Sequence, residues 1–376
     1  MGKGFQIQSF MSSRRTPADI LLRTLRHNEE ERAALLRDHG TPVHQTPQRL
    51  TFFSHVLGSF FEDDEELMLN TLAISRHFFY SILNLVNSIR IRSRGRNGFV
   101  FSHKDKLLFL IVFLKEGSEV LKKVCLPVLK EPSSILRNLH AAAALFKPVL
   151  LRNTIEFRRE RLDDLPTISA VVDCTVVEIH GPDLPFGEKD EYYSGKHKRH
   201  CLKKEVIVNV RSGTAAMISK AYPGSTADIE VLRRHAAEVN QMLGPSHVLA
   251  DKGYRGDTRV PNCQVAADGN EAERRARVIV ERFFGRLKKT FIVFARQWEL
   301  SWTAFSDYFD IACGLTNVAI IFAPLTHEDR KFNRALLNKW ADETEKRVIE
   351  NHNKYEAKKT RREEQQDLFF TTLSMI

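Results

Sequence analysis

Val171-Val172-Asp173-Cys174-Thr175-Val176-Val177 is a run of apolar and β-branched residues with one carboxylate near its centre. Such a run reads as a strand buried on both faces. An ionised aspartate inside it is unfavourable by several kcal/mol unless something pairs with it. Two readings are open on this stretch alone. The Asp173 side chain sits at a strand end, turned to water or hydrogen-bonded, or it is a metal ligand at the edge of a buried sheet.

The flanking sequence decides the fold class. Strand-like runs span Ile168 to Ile179, Glu205 to Val210, Ala215 to Tyr222 and His247 to Ala250. A helical run from Ala227 to about Met242 separates the third and fourth strands. More helix is expected from about Ala272 to Phe294 and from Ala304 to Ile321. Three strands, a helix, a strand and then helices is an α/β order. The first three strands have short connections and can pair as an antiparallel meander. The fourth returns after a helical crossover and can lie parallel to the first.

Outside residues 161–325 the pattern changes. Residues 49–160 read as a helical region. Ser102-His103-Lys104-Asp105 has the form of a capping box ahead of Leu107, Leu108, Leu110, Ile111, Phe113 and Leu114, and Gly117 closes that helix. A second short helix carries Val120, Leu121 and Val124. A third starts near Ser133-Ser134 and turns Ile135, Leu136, Leu139 and Ala142 inward. Short helices with tight turns are compatible with a helix-turn-helix, in which Ser133, Ser134, Arg137, Asn138 and His140 could face a groove. The basic run from Arg90 to Arg96 could touch phosphate. Residues 1–48 read as a polar arm and an accessory helix capped by Thr16. The Glu62-to-Glu66 knot reads as a solvated helix start, and residues 326–376 as a charged helical tail.

Composition narrows the partners. The 376 residues carry a formal net charge of +10, which suits an anionic partner such as nucleic acid. The five cysteines are scattered and never form C-x-x-C. That argues against a disulfide framework or a zinc knuckle. No apolar stretch is read as long enough to span a bilayer; the best, around Leu107 to Leu114, ends in Lys115-Glu116.

Four further segments accompany Asp173. Tyr193-Ser194-Gly195-Lys196-His197-Lys198-Arg199-His200 is a basic turn into the second strand. Pro223-Gly224-Ser225-Thr226-Ala227-Asp228 opens a helix. Leu249-Ala250-Asp251-Lys252-Gly253-Tyr254 ends the fourth strand. The segment from Val280 to Lys289 lies in a later helix, with Val280, Phe283, Phe284, Leu287 and Phe291 on its core face and Glu281 at the rim. If the first and fourth strands are parallel neighbours, Asp173 and Asp251 emerge side by side. Three carboxylates converging without cations would repel and raise one another's pKa. Oxygen donors without His or Cys favour Mg²⁺ or Mn²⁺. From Arg274 to Lys289 there are seven Arg or Lys and one acid, Glu281. Such a basic helix beside an acidic pocket suits a polyanion.

These segments resemble the catalytic domain of the DDE-superfamily endonucleases, in particular the Harbinger-type transposases and their bacterial insertion-sequence relatives. The resemblance lies in Asp173-Cys174-Thr175, Tyr193-Ser194-Gly195-Lys196, Gly224-Ser225 with Asp228, Asp251-Lys252-Gly253-Tyr254, and Glu281-Arg282-Phe283-Phe284-Gly285-Arg286-Leu287-Lys288. Asn270 and Arg277 match the polar residues that precede the glutamate. The spacing between Asp251 and Glu281 is somewhat short for the family.

The resemblance implies an RNase H-like mixed sheet flanked by helices. It implies a catalytic, metal-binding triad of Asp173, Asp251 and Glu281 holding two Mg²⁺ or Mn²⁺ for DNA cleavage and strand transfer. DNA would be the partner, as transposon ends and target. In a eukaryotic host the protein would be nuclear, with a Myb-like accessory protein and a homo-oligomer both open; otherwise it would be cytoplasmic. Candidates for nucleic-acid contact are Lys196, Lys198, Arg199, Arg282, Arg286, Lys288 and Arg137. Asp228 has two readings, an outer-shell support of the metal site or the partner of Ser225 in a capping box. Tyr254 packs beneath the Gly253 turn, and Trp298 and Trp302 pack in a core or stack on a base. The alternative to an active enzyme is a catalytically silent, transposase-derived DNA-binding protein. A nuclease acting on RNA is a third reading.

Overall fold

The computed structural model describes residues 76–86, 102–119, 121–122, 132–181, 186–256, 259–325 and 360. The arm and accessory helix, the acidic knot, the Arg90–Arg96 run, most of the second short helix and nearly all of the tail lie outside these residues. In chain order the helices α1 (Arg76–Val86), α2 (His103–Glu116) and α3 (Pro132–Thr154) come first. Strand β1 (Ile168–Glu178) is followed by α4 (Phe186–Asp190), β2 (Tyr193–Ser194), β3 (Arg199–Asn209), β4 (Ala215–Ile218) and β5 (Tyr222–Pro223). Then come α5 (Asp228–Arg234), α6 (Ala236–Leu243), β6 (His247–Ala250), β7 (Cys263–Val265), α7 (Glu271–Thr290) and α8 (Trp302–Phe322).

The strand order is β2-β3-β1-β6-β7, with β4 and β5 also paired to β3. β1 runs antiparallel to β3, with Asp173 opposite Val206 and Cys174 opposite Glu205. It runs parallel to β6, with Val171 opposite Leu249. β7 adds a second parallel neighbour to β6. A meander followed by a crossover into parallel strands, covered by helices, is consistent with the RNase H-like mixed sheet of the DDE endonucleases. The expected pairing of the first, second and fourth sequence strands is met. The Ala215–Tyr222 run is interrupted between β4 and β5, and the Ala227–Met242 run breaks at His235. β7 was not foreseen, because three residues are too few to carry a period.

Both faces of the sheet are buried, as the apolar run in β1 requires. Val171 and Val177 join the larger core with Phe283 and Leu287 of α7 and Phe305 and Phe309 of α8. Val172, Ile207 and Val248 join a second core with Leu232 of α5 and Val239 and Leu243 of α6. Alternation along β1 therefore puts Asp173 on the α7 face and Cys174 on the α5 face.

The larger core continues into the preceding helices. Ser102 caps α2 in the expected box: its hydroxyl accepts the Asp105 amide at 3.2 Å, and the Asp105 carboxylate accepts the Ser102 amide at 2.7 Å. Gly117 ends that helix at φ 90°, a conformation that favours glycine. α3 is longer than expected, 23 residues running through Pro148. Ile135, Leu139, Ala142, Phe146 and Leu150 are buried, and its main partner is α8. Of the groove-facing candidates, Arg137 is exposed and bonds to Ser134 Oγ at 3.0 Å, while His140 meets the Tyr308 hydroxyl at 3.1 Å. α8 also corrects the reading of membrane spans. It is long and apolar enough to cross a bilayer by composition, but 78% of its apolar window is buried inside the protein. The sheet and α3 cover it, so it is a core helix.

A buried ion pair fastens α8 and α3 to the sheet. Lys204 of β3 is fully buried and donates to Asp310 Oδ1 at 2.6 Å and to Ser306 Oγ at 2.9 Å. Lys147 of α3 reaches the other Asp310 oxygen at 2.9 Å. Asn317 adds a second tie, with its side chain bonded to the Ala215 amide and carbonyl and to the Thr154 carbonyl. Removing one partner of a buried pair strands the other charge. We expect Asp310→Ala to lower the urea unfolding free energy by about 3 kcal/mol, and the apolar pair Lys204→Met with Asp310→Leu to regain most of that loss.

Candidate active site

Asp173 and Asp251 reach one place because of strand register. The β1–β6 pairing, continued two residues beyond Val171 and Leu249, sets Asp173 beside Asp251. Parallel neighbours turn equivalent side chains to the same face. Asp251 then leaves the strand as the cap of a 3-10 turn, Lys252–Tyr254, and its Oδ1 accepts the Gly253 amide at 2.7 Å. A Cβ added at Gly253 would lie 3.0 Å from Asp251 Oδ1 and 3.5 Å from Asp228 Oδ2, so both carboxylates flank this glycine. Asp173 Oδ1 accepts the amide of Cys174 at 2.8 Å.

Asp228 belongs to this group rather than to a capping box. α5 starts at Asp228 with Ala227 as its N-cap and has no side-chain cap. The Asp228 carboxylate instead accepts Lys203 Nζ at 2.7 Å, and the same ammonium donates to the Thr226 carbonyl. Lys203 was not singled out in the sequence. Its signal is weak there, because a lysine in a strand otherwise reads as an edge residue.

The electrostatics follow from burial first and crowding second. Burial, followed by the nearby charges of Asp251 and Asp228, pushes the Asp173 carboxyl up from 3.8 to about 6, against the Cys174 amide and Arg277. Arg277 of α7 is the nearest cation to Asp251, with Nη2 3.8 Å from Oδ2. Glu281 lies one helical turn past Arg277 on the same stripe of α7. Its side chain is exposed, and the leading charge effects on Asp173 come from Asp251, Asp228 and Arg277. The structure thus brings Asp173, Asp251 and Asp228 together and leaves Glu281 at the rim. Among the described residues no three His, Cys, Asp or Glu side chains are clustered as a ready metal cage.

The donor chemistry fits a hard divalent cation. The available groups are carboxylate oxygens, and Asp173 is raised by burial first and then by the two neighbouring carboxylates. Asp173 and Asp251 are the residues placed to hold such an ion, with Glu281 within one turn of the Arg277 that faces them.

The cationic candidates divide. Lys196, Lys198 and Arg282 are exposed. Arg199 pairs with Glu178 at 2.7 Å, Arg286 donates to the Ala323 carbonyl, and Lys288 donates to the Val176 carbonyl at 2.9 Å. Lys288 is therefore engaged with β1 and is not a free surface cation. Burial first, then Lys196, Lys203, Arg199 and Lys288, hold the His197 imidazole below its ordinary value, which locates a positive rim beside the β2–β3 turn. Asn270 caps α7 by accepting the Glu273 amide at 3.2 Å. Tyr254 is buried beneath the Gly253 turn. Trp298 is buried in an aromatic cluster and stacks on Phe294, while Trp302 packs against Tyr192 at 4.9 Å. Packing thus accounts for both tryptophans.

The raised Asp173 value has a definite sign. Below about pH 6 the folded protein keeps this proton, whereas the unfolded chain releases it near 3.8. The linked stability is present below the unfolded value and is lost as pH rises through the folded one. In a chelator, Asp173→Asn should be about 2 kcal/mol more stable than wild type at about pH 8, and nearly equal to it at about pH 4. Urea unfolding at both values checks this; equal stability at the higher pH contradicts the raised Asp173 value.

Residues 172–317 match the family model described as DDE superfamily endonuclease. No curated protein and no solved structure matches the chain. The matched segment begins within β1, beside Asp173, and ends inside α8, so it takes in Asp173, Asp251 and the whole of α7. The chain therefore carries a domain of the DDE superfamily of endonucleases.

Proposed function

We propose that this protein is a divalent-metal-dependent DNA endonuclease and transposase of the Harbinger type, with Asp173, Asp251 and Glu281 as its catalytic and metal-binding residues. The observation that carries the reading is the juxtaposition of Asp173 and Asp251 across two parallel strands, in a setting where their own charges oppose it. Mg²⁺ or Mn²⁺, probed as one or two ions, would lower the pKa of an attacking water or hydroxyl and offset charge on the leaving oxygen of a phosphodiester.

The chain's own residues supply the rest. The Cys174 and Gly253 amides orient Asp173 and Asp251. Lys203 holds Asp228 beside them, as outer support for the pair. Arg277 offers positive charge beside Asp251, and the exposed Lys196, Lys198 and Arg282 would meet a phosphate backbone in this reading. DNA as transposon end and target, a nuclear location in a eukaryotic host, a Myb-like helper and a homo-oligomer belong to the same reading.

A second reading has one observation in its favour. Glu281 is exposed. That suits a catalytically silent, transposase-derived DNA-binding protein. Sequence-selective binding in EDTA with no cleavage under any divalent ion would establish it.

The decisive experiment is nicking of supercoiled DNA by the purified full chain, with and without Mg²⁺ or Mn²⁺, and with RNA as a comparison substrate. We expect cleavage of DNA that needs the metal and falls by at least about a hundredfold in Asp251→Asn and in Glu281→Gln. Equal cleavage by wild type and Asp251→Asn would remove the assignment.

A further inference from the structure

Behind the strand that carries Asp173 sits a buried polar group that the proposed chemistry does not use. Glu205 is 0% exposed, in β3, opposite Cys174. It faces α5 and α6, the side away from Asp173. A carboxylate there is held far from water, and burial raises its pKa above the ordinary range, with His235 and Tyr254 pulling the other way. His235 Nε2 lies 2.8 Å from Glu205 Oε1. The Cys174 thiol lies 3.9 Å from Oε2, and the Tyr254 hydroxyl is near enough to the same carboxylate to pull its pKa down. Tyr254 and Cys174 also meet each other, hydroxyl to sulfur, at 3.3 Å.

Each partner of Glu205 belongs to a segment that bears one aspartate of the pocket. Cys174 follows Asp173, and its amide donates to the Asp173 carboxylate. Tyr254 ends the 3-10 turn that Asp251 caps. His235 is the C-cap of α5, the seven-residue helix that begins at Asp228. The three segments have no covalent reason to keep a fixed spacing. An apolar side chain of similar volume would fill the same space without the desolvation penalty, so packing alone gives no reason for a buried acid here.

We infer that Glu205 is a positioning residue: through Cys174, Tyr254 and His235 it sets the spacing of the segments that bear Asp173, Asp251 and Asp228, and so the affinity of that pocket for a divalent cation. The inference rests on the cation-site reading given above. It absorbs two motif residues, Cys174 and Tyr254, that have no contact with a substrate in that reading.

The test compares full-length Glu205→Gln, Glu205→Met and Tyr254→Phe with Leu139→Ala, a core variant in α3 away from the pocket. Mn²⁺ affinity is measured by titration calorimetry, melting is measured in EDTA, and the Gly253 amide resonance is recorded metal-free. The folded Glu205 and Tyr254 variants should bind Mn²⁺ about tenfold more weakly, as outer-shell changes do, and should shift the Gly253 amide. Leu139→Ala should melt lower with both readouts unchanged. Unaltered affinity in the folded Glu205 variants overturns the inference, as does a loss of affinity in Leu139→Ala that tracks its melting. If wild type binds no Mn²⁺, the cation-site reading falls on its own, and an unmoved Gly253 amide in the Glu205 variants then overturns the positioning role separately.

Discussion

Withdrawal of Asp173 from water, beside two further carboxylates, is the constraint on which the rest of the structure turns. Parallel pairing of β1 with β6 puts Asp173 next to Asp251, and α5 adds Asp228 from the side. Hydrogen bonds from the Cys174 and Gly253 amides, the Lys203 ammonium and the Arg277 guanidinium each offset part of that charge. Asp173 still ends with a raised pKa. A fold gains nothing in stability from such an arrangement, since apolar side chains would pack a sheet centre without it. The geometry makes sense as a place prepared for positive charge from outside the chain.

The sheet that holds this arrangement is braced on both faces by buried polar side chains from consecutive residues of β3. Lys204 points to one side and is held by Asp310 of α8. Glu205 points to the other and meets His235, Tyr254 and Cys174. A one-residue slip of β3 would exchange their environments, burying a lysine beside a histidine and a glutamate beside an aspartate. Paired buried charges of this kind fix register even where they add little net stability. Register in turn is what brings residues so distant in the chain into one pocket.

The basic helix α7 serves two purposes. The excess of Arg and Lys in the sequence suggests a surface for a polyanion, yet several of these cations are engaged within the protein. Lys288 holds the β1 backbone, Arg286 the end of α8, and Arg277 faces Asp251. Arg282, Lys196 and Lys198 remain exposed. Counting charges along a helix does not separate these roles, because a lysine stem long enough to reach phosphate is also long enough to cross to a neighbouring strand.

The sequence by itself determined the local elements and their order. β-branched runs made β1, β3 and β6, the Ser102 box started α2, and the apolar spacing of Phe283, Phe284 and Leu287 set the buried face of α7. The motif residues Asp173 and Asp251 were legible because one interrupts an apolar strand and the other directly follows one. Tertiary structure alone decided the partnerships: Asp228 with Lys203 rather than Ser225, Lys288 with a carbonyl, Glu205 with three residues from separate segments. Periodicity reports which side of an element is buried. It does not report what a long polar side chain meets there, because that depends on register, helix crossing and the cost of leaving a buried charge alone.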